Sequence, residues 1–428
     1  MKRRSVGRSG AVVAAVLGLT LSAVVWTGPA FASERAGTTT VGVLYAFTGA
    51  NAQNGAVGTA GCETGVAVVN AAGGVLGNQL QCKNGDTKSD LADAVPAANQ
   101  LLASSSPAFV IGPSDEAPAT VPIVAGLKVP NFATVGDPKF DKESNAFFYR
   151  ITPSDALQGQ AIGYWAPTHG FKKSAAVFTN DLGAQTSVPP LRAEYKKLGG
   201  KLVADITLAP GHSSYRTEVK KLIDSHPDAV FTEMDPATAA TFLTEMVQLG
   251  NGKLPTIITT QRGAQTDWLS TISRVLGKSR FTKSVKFIAP YVQFKGPGYT
   301  LYKKTLLTLG SKIKDPAQYA VHPYAIADFD AIMVASLAMT EAKSAKGSDF
   351  NKYIVDVTKP KAGAVVVRTY SAGVKALAAG KKIQYIGAGG SLVFNKYHSA
   401  PSAFAYFRYD AATKQPAVVS VIPGSKLG

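Results

Sequence analysis

A chain of 428 residues is longer than one hydrophobic core usually holds, so two lobes are expected. With 46% hydrophobic and 17% charged residues it reads as globular, which excludes a disordered polyelectrolyte. The net charge of +17 comes largely as scattered lysine pairs (Lys172-Lys173, Lys196-Lys197, Lys220-Lys221, Lys303-Lys304, Lys381-Lys382) with no interleaved aromatic residues, so a nucleic-acid partner is not expected.

The first residues read as an export signal. Lys2, Arg3, Arg4 and Arg8 precede an apolar run from Ala11 to Trp26, and Ala30-Phe31-Ala32 supplies a small-residue cleavage site. The run is short for a membrane span and has Gly28-Pro29 behind it, which favours a signal peptide over residues 1–32 rather than an anchor. A mature chain starting near Ser33 keeps 41 basic and 28 acidic residues, a balance of +13. No Cys lies near the cleavage site to take a bacterial lipid anchor, and no later stretch is apolar enough to span a bilayer. The expected location is therefore periplasmic or extracellular. Export also puts Cys62 and Cys82 in an oxidising compartment, where a disulfide closing a loop of about 20 residues contributes roughly 3 kcal/mol. The alternative is two buried thiols.

Val41 to Tyr45 is a short strand, followed by a loop of small and polar residues and a helix from about Gly55 to Asn70. Gly73-Gly74 ends that helix, Gln79 to Asn84 is a second strand, and Ser89 is expected to cap a helix to about Ala103. Pro107 to Ile111 is a third strand. It runs into Gly112-Pro113-Ser114-Asp115-Glu116, a strand-to-helix turn in which Ser114 is expected to cap. The first N–H groups of such a helix face the ligand crevice of an open parallel sheet. Val129 to Phe132 is a fourth strand. The same rhythm restarts with a helix over Asp155 to Thr168. Strands over 175–179, 201–206, 229–232, 256–260 and 286–289 follow. They alternate with helices over 186–198, 214–225, 236–249 and 268–276, then 299–309 and 323–342. From Ile383 the chain is Gly-rich and reads as short antiparallel strands.

The fold class is thus α/β, with two doubly wound parallel-sheet lobes joined at Ile151–Ser154 and again later, leaving a cleft between them. No nucleophile elbow, zinc-binding His pair or P-loop pattern is present. The five His sit at loops and helix edges, and only His322, before Pro323 at a helix start, is a candidate to face the cleft. No enzyme activity, cofactor or metal is expected.

Several segments in order resemble the branched-chain amino acid type of periplasmic binding protein, the substrate-binding subunit of ABC importers. They are Val41-Gly42-Val43-Leu44 with Thr48-Gly49; Asn70-Ala71-Ala72-Gly73-Gly74-Val75-Leu76-Gly77; Ile111-Gly112-Pro113-Ser114; Gly136-Asp137-Pro138; Phe148-Tyr149-Arg150 with Pro153-Ser154-Asp155; Asn180-Asp181 with Gly183; Ala327-Asp328-Phe329-Asp330-Ala331; and Tyr385-Ile386-Gly387-Ala388-Gly389-Gly390. The resemblance implies a monomer with a three-segment hinge that closes on a small solute and docks on the permease subunits of an importer. The alternative is a ligand-sensing module of the same fold without transport. It implies lobe 1 over 33–152 and 291–395, and lobe 2 over 153–290 and 396–428. It also allows a disulfide between the two Cys positions. Carried over position by position, it implies a pocket of Phe47, Thr48, Ser114, Asp115, Ala133, Thr134 and Val135 from lobe 1. From lobe 2 it takes Asp181, Leu182, Glu233, Met234, Asp235, Gln261 and Arg262. Backbone N–H groups after the third strand and the Thr134 hydroxyl are expected to hold a solute carboxylate, if there is one. Two departures stand out. Gln261-Arg262 lies where such binders usually carry a carboxylate for the ligand's ammonium, and Asp115-Glu116 lies where small hydroxyl residues are usual. Glu233 and Asp235 are candidates to replace the missing carboxylate, so the expected solute is a small polar one, an amino acid, amide or related compound; the departures leave room for an amine or amide end and speak against ordinary leucine-like recognition.

Overall fold

The computed structural model describes residues 37–428, Ser402 and Gly428 apart; the expected signal segment lies outside them. Five strands form the first sheet: β1 (Thr38–Tyr45), β2 (Gln79–Asp86), β3 (Phe109–Ile111), β4 (Asn131–Ala133) and β5 (Phe148–Arg150). They lie in the order β2-β1-β3-β4-β5, all parallel. The second sheet takes β6 (Lys173–Thr179), β7 (Lys201–Leu208), β8 (Ala229–Glu233), β9 (Thr256–Thr259) and β10 (Val285–Pro290). Its parallel order is β10-β9-β8-β6-β7. A two-stranded parallel sheet, β11 (Val365–Val367) with β12 (Ile383–Tyr385), comes late in the chain. The hairpin β13 (Phe404–Asp410) and β14 (Gln415–Ile422) then adds antiparallel to β10.

Each parallel sheet reverses its strand order once, between β1 and β3 in the first and between β6 and β8 in the second. Such switch points leave a crevice beyond the C-terminal strand ends, because the flanking connections leave to opposite faces of the sheet. The chain passes between the sheets over 151–154, 291–296 and 386–403. These crossings are laced together by main-chain bonds: Arg150 N–H to His398 O, Ala400 N–H to Arg150 O, and Tyr291 N–H to Ala403 O at 2.8–2.9 Å.

The helix Pro323–Ala342 is the centre of the first half and is buried on nearly every side. The helix Gln53–Ala71 packs directly on it through Gly61 and Gly65, where an added Cβ would run into Asp328 and Ile332. Cys82 on β2 is bridged to Cys62 on that helix, with Cα atoms 6.3 Å apart. Among the described residues no helix is long and apolar enough to cross a membrane.

Several expectations are corrected. Asp90, not Ser89, caps the helix Leu91–Ser105, accepting from the N–H groups of Ala92 and Asp93. The helix expected over 186–198, interrupted early by Pro189-Pro190, begins at Val188 because the two prolines fit only a first turn, and a short helix not foreseen, Leu182–Thr186, precedes it. The end of the chain is not all antiparallel: Ile383–Tyr385 pairs parallel with Val365–Val367, after the unforeseen helices Gly347–Asp356 and Tyr370–Ala378.

Candidate functional site

A cavity of about 350 Å³ opens where the two switch points face each other. Its first wall comes from the loop after β1 (Asn51, Gln53, Asn54) and the turns after β3 (Ser114, Asp115) and β4 (Thr134, Gly136). The second comes from the ends of β6 (Thr179, Asp181, Gly183), β7 (Pro210, Gly211), β8 (Glu233, Met234, Asp235) and β9 (Gln261, Arg262, Gln265). Asp155 and Tyr324 complete it from the first crossing and from the start of the helix Pro323–Ala342.

The turn after β3 depends on Gly112, whose φ is +78° and whose missing Cβ would strike the Leu44 carbonyl. Ser114 does not cap the next helix as expected. That helix starts at Ala117, and no side chain caps it. Two residues, Asp115 and Glu116, separate Ser114 from it, in a turn closed by Ala117 N–H to the Ser114 carbonyl at 3.1 Å. Asp115 lies in this turn, half-buried, and accepts from Asn51 Nδ2 at 3.1 Å. Glu116 behind it is 3% exposed, with Oε2 unpartnered. Burial first, and then Asp115, pushes the Glu116 carboxyl up to about 7.

Thr134 is buried, and its hydroxyl is engaged by Tyr45 Oη at 3.0 Å. The same Tyr45 hydroxyl lies 3.0 Å from both oxygens of the fully buried Asp328. Burial holds Asp328 well above the usual carboxylate range. The neighbouring Asp330 accepts from Ala388 N–H, Gly389 N–H and Tyr385 Oη at 2.7–2.9 Å. One helix therefore reaches the cavity wall through Tyr45 and the last crossing through Asp330.

On the other wall, Asp181 and Asp235 cap helices, accepting from Ala184 N–H and from Ala237 and Thr238 N–H. Asp155 accepts from Thr186 Oγ1 at 2.6 Å, and a Cβ on Gly136 would overlap its carboxylate. Burial raises Asp155 to about 7, and raises Glu233 to about 8 with Asp155, Asp181 and Asp115 adding repulsion. Burial and then Asp181 raise Asp115 to about 6. Arg262 is already paired: both guanidinium arms reach Asp267 at 3.0 Å and one also meets Gln265.

Of the residues expected in the pocket, Ser114, Asp115, Thr134, Asp181, Glu233, Met234, Asp235, Gln261 and Arg262 line the cavity. Phe47, Thr48, Ala133 and Val135 do not, and the Leu182 side chain lies outside what the structure describes. Ala133 and Val135 point into a core under the first sheet, and Thr48 bonds Asp86 through its hydroxyl at 2.7 Å. His322 lines a smaller cavity beside Gln265 and Phe294, where burial depresses it to about 4. Asp155, Asn51 and Tyr324 were missed. Asp155 reads in sequence as an ordinary acidic first-turn residue, and Tyr324 stands only two residues beyond the His singled out.

The periplasmic binding protein family model matches residues 38–352, well over half of the chain. An amino acid binding protein of Pseudomonas aeruginosa is 28% identical over 196 residues, 45% of this chain; the chain spans about half (52%) of that relative. A leucine binding protein from Thermotoga maritima has a similar structure, with TM-score 0.70 and 18% identity over 91% of this chain and 100% of its own. A branched-chain amino acid transporter substrate binding protein from Streptococcus pneumoniae, in complex with isoleucine, gives 0.71 and 17% over 90% and 99%. A solute binding protein from R. palustris in complex with benzoate gives 0.70 and 15% over 90% and 96%. Two lobes of parallel sheet facing each other across a cavity are the architecture these proteins share, and the chain belongs to the periplasmic binding protein family.

Proposed function

We propose that the protein captures a small polar solute outside the cytoplasm, in the cavity between its two lobes, and presents it to the permease of an ABC importer. The observation that carries this reading is the cavity itself, bounded by the C-terminal strand ends of both sheets at their switch points. The three crossings act as the hinge, with lobe boundaries near 152/153, 290/291 and 395/396. A solute bridging both walls favours the closed form in proportion to its contacts with the two together. The binding set we assign is Ser114, Asp115, Thr134, Asp155, Asp181, Glu233 and Gln261. No chemistry is assigned to them. A thermal-shift screen over amino acids, amides, amines and aromatic acids tests this reading. A solute at 100 times its Kd adds about 2.7 kcal/mol. A screen in which no solute class raises the unfolding midpoint would count against the protein being a solute carrier.

A further inference from the structure

Among the described residues, five carboxylates line the cavity, Asp115, Asp155, Asp181, Glu233 and Asp235, against one cation, Arg262. That cation is neutralised in place by Asp267, so it offers little to an incoming anion. The turn after β3, the seat a solute carboxylate would take, carries this chain's own Asp115 at the cavity, with Glu116 buried behind it. The Thr134 hydroxyl near that seat is held by Tyr45. The carboxylate of an amino acid or an aromatic acid entering at this turn would meet the Asp115 carboxylate.

The carboxylates also sit on opposite walls. The position of an absent Cβ on Gly183 lies 3.5 Å from Asp115 Oδ1 and 3.6 Å from Asp181 Oδ1, so both acids border one small gap between the lobes. Deeper in the second wall, Asp155 and Glu233 feel each other's charge. Among the described residues no three His, Cys, Asp or Glu converge closely enough to hold a metal ion. The acids are spread along the cavity, which suits an elongated organic cation better than a point charge. Tyr324 is the only aromatic residue among those lining it, which leaves an aromatic acid without a stacking wall.

We propose that the solute is an organic polycation, a linear diamine or polyamine, with one ammonium between Asp115 and Asp181 and another near Asp155 and Glu233. The proposal rests on the solute-capture reading above and names its substrate class. An ammonium between Asp115 and Asp181 touches both lobes at once, so its binding energy is also closing energy. The raised carboxyls agree with this: Asp115 at about 6, Asp155 at about 7 and Glu233 at about 8 are crowded acids lacking a counter-charge. Supplying one lowers all three, and protons leave as the solute enters.

Calorimetry on the mature chain decides the matter, with 1,4-diaminobutane and spermidine as cationic probes and leucine and benzoate as the others, each in phosphate and in Tris at pH 7. The expected result is tighter binding of a cationic probe by about tenfold or more. Its apparent enthalpy should differ between the buffers, because protons are released. D115N and E233Q should each weaken the cationic probe by about tenfold, with unliganded unfolding midpoints no lower than wild type. Binding of leucine or benzoate with silent amines overturns the cation class and leaves solute capture standing. Silence from all four probes and from the wider thermal-shift screen overturns both. Amine binding that is unchanged in both variants, or that releases no protons, overturns the placement of the ammonium groups.

Discussion

Replacing Glu233 with Gln tests the electrostatics of the cavity without any ligand. In the folded chain the Glu233 carboxyl is raised from 4.5 to about 8, chiefly by burial and then by Asp155, Asp181 and Asp115. The folded state therefore binds a proton that the unfolded chain has already lost. Stability from this group is fully present below about pH 4.5, declines as pH rises, and is gone above about pH 8. The slope for one such group is about 1.4 kcal/mol per pH unit, a ceiling near 4 kcal/mol between pH 5 and pH 8. Glu233 is only partly buried, beside an open cavity, so on the order of 2 kcal/mol is expected. The assay is urea unfolding of ligand-free protein at pH 5 and pH 8.5. Wild type should lose stability on going to the higher pH. Glu233→Gln should lose less by about 2 kcal/mol and exceed wild type at pH 8.5. Asp115, Asp155 and Glu116 keep some pH dependence in the variant, since all three are raised. Parallel pH profiles for variant and wild type would refute the reasoning.

Replacing Cys62 and Cys82 together with Ser should lower stability by about 3 kcal/mol by releasing a loop between residues 20 apart, read as a drop in urea midpoint. Tyr45→Phe strands the buried Asp328 carboxyl and leaves the Thr134 hydroxyl only the Pro113 carbonyl, and should cost about 1–3 kcal/mol in the same assay. Gly136→Ala drives a methyl group into the Asp155 carboxylate and should weaken solute binding by about tenfold or more, measured by calorimetry.

Helix and strand order were legible because each sheet is built from short apolar runs that alternate with helices. The helix Pro323–Ala342 begins at Pro323 and is followed by Lys343 in a left-handed conformation, and both bounds could be read from the pattern. The β11–β12 pair was not legible, since Val365 and Val366 are exposed and the strands pair only because the intervening helix brings them together. Boundaries failed where a neighbour competes for the same role, as Asp90 does with Ser89. In the cavity, residues placed directly after strands, such as Ser114, Asp181 and Glu233, could be found because the fold aims every such position at the crevice. Asp155 and Tyr324 could not. They enter from a crossing and from a late helix, and only the three-dimensional closure of the chain brings them to the same wall. The engaged state of Arg262 was also hidden, since the turn Gln261–Ala264 is what brings it against Asp267.

The central claim is that two lobes shut on a dissolved solute, and small-angle X-ray scattering under titration tests it most directly. With the probe that binds in the calorimetric panel, the radius of gyration should fall and the change should saturate at one solute per chain. A radius that stays constant while the solute is demonstrably bound would contradict the account.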